Sequence, residues 1–400
     1  MNYYLIIIGL ALFVILSYVY TIIAARHRIP SVLLLILTGI ITKASLEFFG
    51  VSFTPSQMYL NLFGTIGLIL IVLEGSVDLS LDRESLPIIV RSFLVATVLL
   101  LFSSFSITFL ISYFLKVSFI NAFLYSIPLS IISSAIVIPG VEGLDKNKKD
   151  FMVCESIFSD ILGIILFNIA VMSAGNSSGL AGHIVLSSIF TVIISFLISF
   201  LLVYALVKIK SGVKLFPIIA VLILVYSIGK IMHLSTLIII FVFGLTLRNI
   251  FNFMKDEWQQ KINISSEDYG KVFSEFKLLI RESSFVIRTF FFIIFGYTLM
   301  IENLLNTTVL FIGTAILFIT YALRYFNLRF ISRQNLMPEL LIAPRGLITI
   351  LLYYSIPESN KIGYYGEGII VFAVITTGLL MMFGLIVNKD KKIEIIETTY

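Results

Sequence analysis

The sequence predicts an all-α integral membrane protein: about 13 transmembrane helices in two inverted repeats, with crossed broken helices in spans 5 and 12. Three observations predict it. Hydrophobic residues make up 59% of the 400 positions and charged residues only 13%, where a soluble domain is about a quarter charged. Apolar runs long enough for a hydrocarbon core of about 30 Å, which takes ~20 helical residues, recur from end to end. Lysine and arginine gather in alternate connections between those runs.

The spans lie near residues 3–23, 29–42, 60–77, 87–114, 119–143, 151–174, 183–207, 213–229, 234–250, 283–301, 306–327, 336–356 and 365–387. The first is read as a span and not a signal peptide, because no basic region precedes it and no small-residue cleavage site follows. The longest connection, 251–282, carries Phe273, Phe276 and Leu279 at helical spacing, so it is expected to lie along the interface before the tenth span. The chain reads as one transmembrane domain over 1–400. A first repeat of about 1–174 is joined through the linker span 183–207 to a second of about 213–388, with 389–400 as a short cytoplasmic tail.

Orientation follows from the basic residues. With the amino terminus outside, the cytoplasmic segments hold Arg26 and Arg28; Arg83 and Arg91; Lys146, Lys148 and Lys149; Lys208, Lys210 and Lys214; Arg248, Lys255, Lys261, Lys271, Lys277 and Arg281; Arg329 and Arg333; Lys389, Lys391 and Lys392. Only Lys43, Lys116, Lys230 and Lys361 fall on the opposite face, and Arg288, Arg324 and Arg345 lie inside spans. A miscounted span would invert every later loop and destroy the alternation. The carboxyl terminus is therefore expected in the cytoplasm of a multi-pass cell-membrane protein. Lysines spread over so many loops make no nucleic-acid surface. The one cysteine, Cys154, allows no internal disulfide. His27, His183 and His233 fall at span ends or loops, where they read as solvated or interfacial, and Met381-Met382 reads as lipid-facing or packing.

Two apolar segments contain residues that do not suit a helix interior. One is Ile132-Ser133-Ser134-Ala135-Ile136-Val137-Ile138-Pro139-Gly140, the other Ile342-Ala343-Pro344-Arg345-Gly346-Leu347. Proline removes a backbone donor and clashes with the preceding turn, glycine tolerates unusual angles, and in lipid the freed backbone groups need a partner or a cavity. The breaks fall seven spans apart and so run in opposite directions. Paired interruptions in inverted halves point to a transporter binding site near the bilayer midplane.

Ionisable groups at span depth cost about 2.5–3.5 kcal/mol on insertion scales and usually face a cavity or a partner. Glu74, Glu155, Asp160, Arg324 and Arg345 are such groups, whereas Arg288, about one turn into its span, is placed to snorkel to the interface. Asp160 lies about ten residues past Phe151, which at ~1.5 Å per residue puts it near the midplane. Ser156 is one turn earlier on the same face, and Glu155 points roughly 140° away. A carboxylate with oxygen neighbours from Ser156, Ser159 and unwound backbone suits a hard monovalent cation or a proton. Glu155, off that face, pairs more naturally with Arg324.

At these residues the sequence resembles the monovalent cation/proton antiporter family, the sodium/proton exchangers. Arg28-Ile29-Pro30 through Thr38-Gly39-Ile40 is similar to that family's early proline-to-glycine span, and Leu73-Glu74-Gly75 to its third-span motif. Cys154-Glu155-Ser156-Ile157-Phe158-Ser159-Asp160 resembles the Glu-Ser stretch that ends in the ion-binding aspartate. Arg288-Thr289-Phe290-Phe291-Phe292 with Gly296 is similar to the tenth span, and Ala343-Pro344-Arg345-Gly346-Leu347 to the Arg-Gly motif of the second broken helix. The resemblance implies that Asp160 binds cation and proton alternately, with Ser156, Ser134 and Glu74 nearby as ligands or water anchors, and that Glu155 and Arg324 form a salt bridge. It implies a homodimer in which spans four to six and eleven to thirteen move against the rest. The family usually has Asn or Asp before the aspartate and Thr-Asp in the first break; here Ser159 and Ser134-Ala135 stand there, which reads as coordinated replacement.

The sequence is thus expected to encode no enzyme and to need no cofactor. Its ligands are a transported cation, sodium before potassium, and the proton, and its partners the lipid bilayer and a second copy of the chain. A cation channel and a non-transporting sensor on the same scaffold are the rival classes. The first suits an open charged ring better than one buried aspartate, and retention of Asp160, Glu155 and Arg324 argues against the second.

Overall fold

The computed structural model describes residues 3–27, 29–50, 57–81, 86–174, isolated positions between 195 and 204, 215–231, 236–253, 266–332 and 336–387. The expected linker span 183–207 falls almost wholly outside the described residues, and the tail 389–400 entirely so. Described helices are α1 (Tyr3–His27), α2 (Ser31–Phe48), α3 (Gln57–Asp78), α4 (Leu86–Leu115), α5 (Phe119–Ser130), α6 (Ser134–Gly140) and α7 (Lys146–Ala174). They continue as α8 (Leu215–Ile231), α9 (Thr236–Phe253), α10 (Ser266–Thr298), α11 (Thr307–Asn327), α12 (Leu347–Tyr354) and α13 (Gly363–Val387). No strand occurs among the described residues. Eight crossings there are long and apolar enough to span a membrane, with α5 and α6 together making one, and Leu215–Ile231 and Thr236–Ile250 are shorter apolar helices.

Helices suit these sequences because hydrocarbon offers the backbone no partner and each helix satisfies its own groups. The many serines and threonines follow the same logic. Thr38, Ser103, Thr108 and Thr377 return their hydroxyls to the carbonyls of Leu34, Leu99, Ser104 and Ala373 one turn back, so none enters the membrane as a free donor. Small residues then let helices approach. A Cβ on Gly39 would overlap the Ile293 carbonyl oxygen and one on Gly296 that of Ile36, so α2 and α10 cross backbone to backbone. Met381 is fully buried and fills the space over Gly140, which makes it packing and not a lipid-facing residue.

α10 corrects one expectation. The tenth span does not begin after an interfacial segment, for a single helix of 33 residues runs from Ser266 to Thr298. Phe276 and Ile280 are fully buried, and Phe276 meets the ring of Phe243 on α9. The apolar stripe read as membrane-surface is the bundle-facing stripe of a long helix.

The two interruptions take different forms. The first lies at Ile131–Ser133, between α5 and α6, so Pro139 and Gly140 do not make the break but end the short helix after it. In the second, 337–341 forms turns and 342–346 has no regular structure, so Pro344, Arg345 and Gly346 sit in the interruption before α12. The two meet directly: Ser133 N–H donates to the Pro344 carbonyl at 2.9 Å. A Cβ on Gly346 would stand 2.7 Å from Ser133 Oγ and 2.8 Å from Ile136 Cδ1, so only glycine allows this approach.

Candidate functional site

An interrupted helix exposes N–H groups that lipid cannot satisfy, and here three consecutive ones have an acceptor. Ile132 N–H donates to Ser159 Oγ at 3.0 Å, Ser133 N–H to the Pro344 carbonyl at 2.9 Å, and Ser134 N–H to Asp160 Oδ2 at 3.2 Å. Two adjacent side chains of α7 therefore hold the middle of the break and the first residue of α6, and the opposite break holds the residue between them. Ser159 thus faces the backbone of the break. Asp160 is fully buried and keeps its second oxygen, Oδ1, without a hydrogen-bond partner. Ser156, on the same face one turn earlier, is buried and donates to the Val153 carbonyl at 2.9 Å.

Charge is matched at both ends of the first interruption. Asp160 lies at the positive N-terminal end of α6, and Arg345 lies at the negative C-terminal end of α5, where its Nε donates to the Leu129 carbonyl at 2.5 Å. Arg345 is buried, its Nη1 donates to the Ala343 carbonyl at 3.2 Å, and its own N–H donates to Thr377 Oγ1 at 2.9 Å. Thr349 on α12 donates to the Pro128 carbonyl at 3.0 Å, which ties the second broken span to α5.

Glu155 and Arg324 form a bidentate pair, 2.6 Å from Nη1 to Oε1 and 3.0 Å from Nη2 to Oε2, with both side chains fully buried. Arg324 also donates from Nε and Nη2 to the Glu339 carbonyl, at 3.0 and 2.9 Å. The pair thus fastens α7 to α11 and to the turns that precede the second interruption. Glu339, which sequence reasoning passed over, is itself buried, 3.7 Å from Lys148 Nζ. Only its place just before a break marked it in the sequence.

Glu74 goes elsewhere. Its Oε2 stands 3.6 Å from Arg288 Nη2, and the Arg288 side chain is only 13% exposed. Arg288 therefore does not snorkel to the interface but turns inward to a buried carboxylate, because that charge is nearer than water. Small cavities flank the site without including Asp160. One is lined by Asp78, Ser80, Asp150 and Cys154, the other by Ile161, Asn168, Tyr226 and Lys230. No group of three His, Cys, Asp or Glu side chains converges as a metal cluster among the described residues.

Two interrupted helices that cross beside a buried carboxylate define a secondary-transporter architecture. The chain belongs to the sodium/hydrogen exchanger family: the profile described as "Sodium/hydrogen exchanger, transmembrane" matches residues 10–388. Its fold is similar to that of the sodium proton antiporter MjNhaP1 from Methanocaldococcus jannaschii at pH 8, with a TM-score of 0.72 and 19% identity over 97% of this chain and 98% of that one. An electron-microscopy structure of the same antiporter gives a TM-score of 0.71 and 19% identity over 98% and 100% of the two chains. Comparison with curated proteins gives no match.

Proposed function

We propose that the chain is a secondary active antiporter that exchanges a monovalent cation, sodium before potassium, for protons by alternating access, one for one. Asp160 carries the reading. It is a fully buried carboxylate at the crossing of two breaks, with one oxygen held by Ser134 N–H and the other without a partner. Such a group neutralises its charge with a proton or a cation but not both, so the two compete for one site. Ser134 and Ser156 are the neighbouring oxygens. Ser159 supports the site by holding the extended segment, and Glu155 with Arg324 keeps α7 against α11.

Competition drives exchange when each ligand crosses in its own direction and the empty carboxylate does not. Complete burial of Asp160 favours an occluded site over an open conducting path. Neither Ala135 nor Ser159 titrates, and arginine at 324 stays charged, so Glu74 is the one other group that would add a second charge to the cycle. The family resemblance makes the working form a homodimer and assigns the motion to spans four to six and eleven to thirteen. Positive charge on alternate connections puts the amino terminus outside and the carboxyl terminus in the cytoplasm of the cell membrane, where exchange serves pH homeostasis.

The deciding experiment is exchange in proteoliposomes with a pH dye inside, on adding sodium, potassium or lithium. Proton movement with sodium, and less with potassium, is expected. No response to any of the three sinks the antiporter reading, and a larger response to potassium reverses the preference.

A further inference from the structure

Glu74 is a further carboxylate at membrane depth, and its surroundings decide what it does in the cycle. It is 7% exposed, and the pair with Arg288 is loose: Glu74 Oε2, Arg288 Nη1 and Ser284 Oγ are all buried without a hydrogen-bond partner. Glu155 and Arg324, by contrast, close two bonds of 2.6 and 3.0 Å. Lys277, Arg281, Ser284 and Arg288 follow one another at three- and four-residue steps along α10, on one face. That face meets Asp78 and Glu74, one turn apart on α3. The charged groups acting on Glu74 are Arg288, Arg281 and Asp78, and Ser284 is the neutral hydroxyl beside it. The adjoining Gly75 packs on α7 and α6, since a Cβ there would stand 2.5 Å from Ile157 Cδ1 and 3.0 Å from Ile138 Cδ1. The pair therefore borders the helix that carries Asp160.

We infer that Arg288 fixes the coupling ratio of the exchange by holding Glu74 as half of a neutral pair, so that Asp160 alone changes occupancy. This rests on the antiporter reading and gives Glu74 a different part from the ligand role that the resemblance implies. One free carboxylate is neutral with one cation and neutral with one proton, so a cycle moves no net charge. With a second free carboxylate, the site is neutral with two protons but carries one negative charge with one cation, and each cycle moves charge. Arg288 removes Glu74 from that count because its guanidinium does not deprotonate. Without Arg288, a stranded buried carboxylate must find a proton or a cation of its own.

The test uses the full chain in proteoliposomes with the potential clamped, reading the equilibrium sodium gradient. The parent chain and Arg288→Lys are expected to show no dependence on potential. Arg288→Gln is expected to shift the gradient by about tenfold per ~60 mV, the effect of one net charge per cycle. A folded Arg288→Gln protein that remains independent of potential overturns the inference. Should that variant not fold, Glu74→Gln carries the test through the coupling ratio. Retention of the parent's one-for-one ratio supports the inference, and an electrogenic parent made electroneutral by Glu74→Gln overturns it. A parent that exchanges no cation for protons brings down the antiporter reading as well, whereas a voltage-independent Arg288→Gln brings down the role of Arg288 alone.

Discussion

Ser134 donates its main-chain N–H to Asp160 Oδ2 at 3.2 Å, so the carboxylate proposed to carry the ligand also holds the first residue of α6. On that proposal, ligand occupancy and helix position are linked. A proton or cation on Asp160 reduces the charge facing the N-terminal end of α6, and the empty carboxylate holds that end most strongly.

Asp160→Asn is expected to abolish exchange and leave the protein folded. The amide oxygen still accepts from Ser134 N–H, but the side chain neither loses a proton nor neutralises a cation. Dye-reported exchange together with size-exclusion behaviour checks this, and exchange at the parent rate would show that the ion binds elsewhere.

Removing one member of the Glu155 and Arg324 pair is expected to cost ~3–5 kcal/mol of stability, because each leaves a buried opposite charge alone. Arg324 should cost more than Glu155, since it also gives up two bonds to the Glu339 carbonyl. Melting in detergent of Glu155→Gln, Arg324→Met and the double variant measures the coupling. Single-variant effects that simply add would mean that the pair contributes nothing jointly.

Ser159→Ala is expected to lower stability by about 1–3 kcal/mol, since Ile132 N–H loses its acceptor in a buried setting. Ser159→Asn keeps an acceptor and should recover most of that loss. The same two proteins tested with sodium, potassium and lithium separate a backbone role from a ligand role. A change in cation preference with unchanged melting would assign Ser159 to the ion.

Gly346→Ala is expected to cut exchange by at least tenfold, because the new methyl group meets Ser133 Oγ and Ile136 Cδ1 and pushes the breaks apart at the Ser133 to Pro344 bond. Gly9→Ala is the control, having open space around its Cβ position. Equal rates for both variants would show that the crossing tolerates separation.

Much of the fold was legible because a bilayer restricts what a chain does. Apolar runs had to be helices, and Asp160, Glu155 and Arg324 stood out because charges at that depth are rare. Local chemistry misled where it was read without its neighbours. Pro139 and Gly140 are the conspicuous breakers of the fifth span, yet the helix opens at Ile131–Ser133. Ser159, Asp160 and the Pro344 carbonyl accept the freed N–H groups there. Arg288 looked free to reach water because the sequence does not show that Glu74 lies opposite. The stretch 266–282 looked interfacial because an amphipathic stripe has the same period against a membrane surface as against a helix bundle.

The sequence by itself determined that the chain crosses the membrane repeatedly as apolar helices, and which few side chains are too costly at that depth to be there without a use. Those properties depend on one segment and its solvent, so they can be read along the chain. Glu155 and Arg324 were already paired on the sequence, but only the tertiary structure decided the other partners: Glu74 with Arg288, Ser159 with Ile132, and one interruption with the other through Ser133 and Pro344. A hydrogen bond or ion pair works over about 3 to 4 Å, between residues that are, for Thr349 and Pro128, 221 positions apart in the chain. Periodicity carries no record of that distance, so the partners become visible only when the helices are packed.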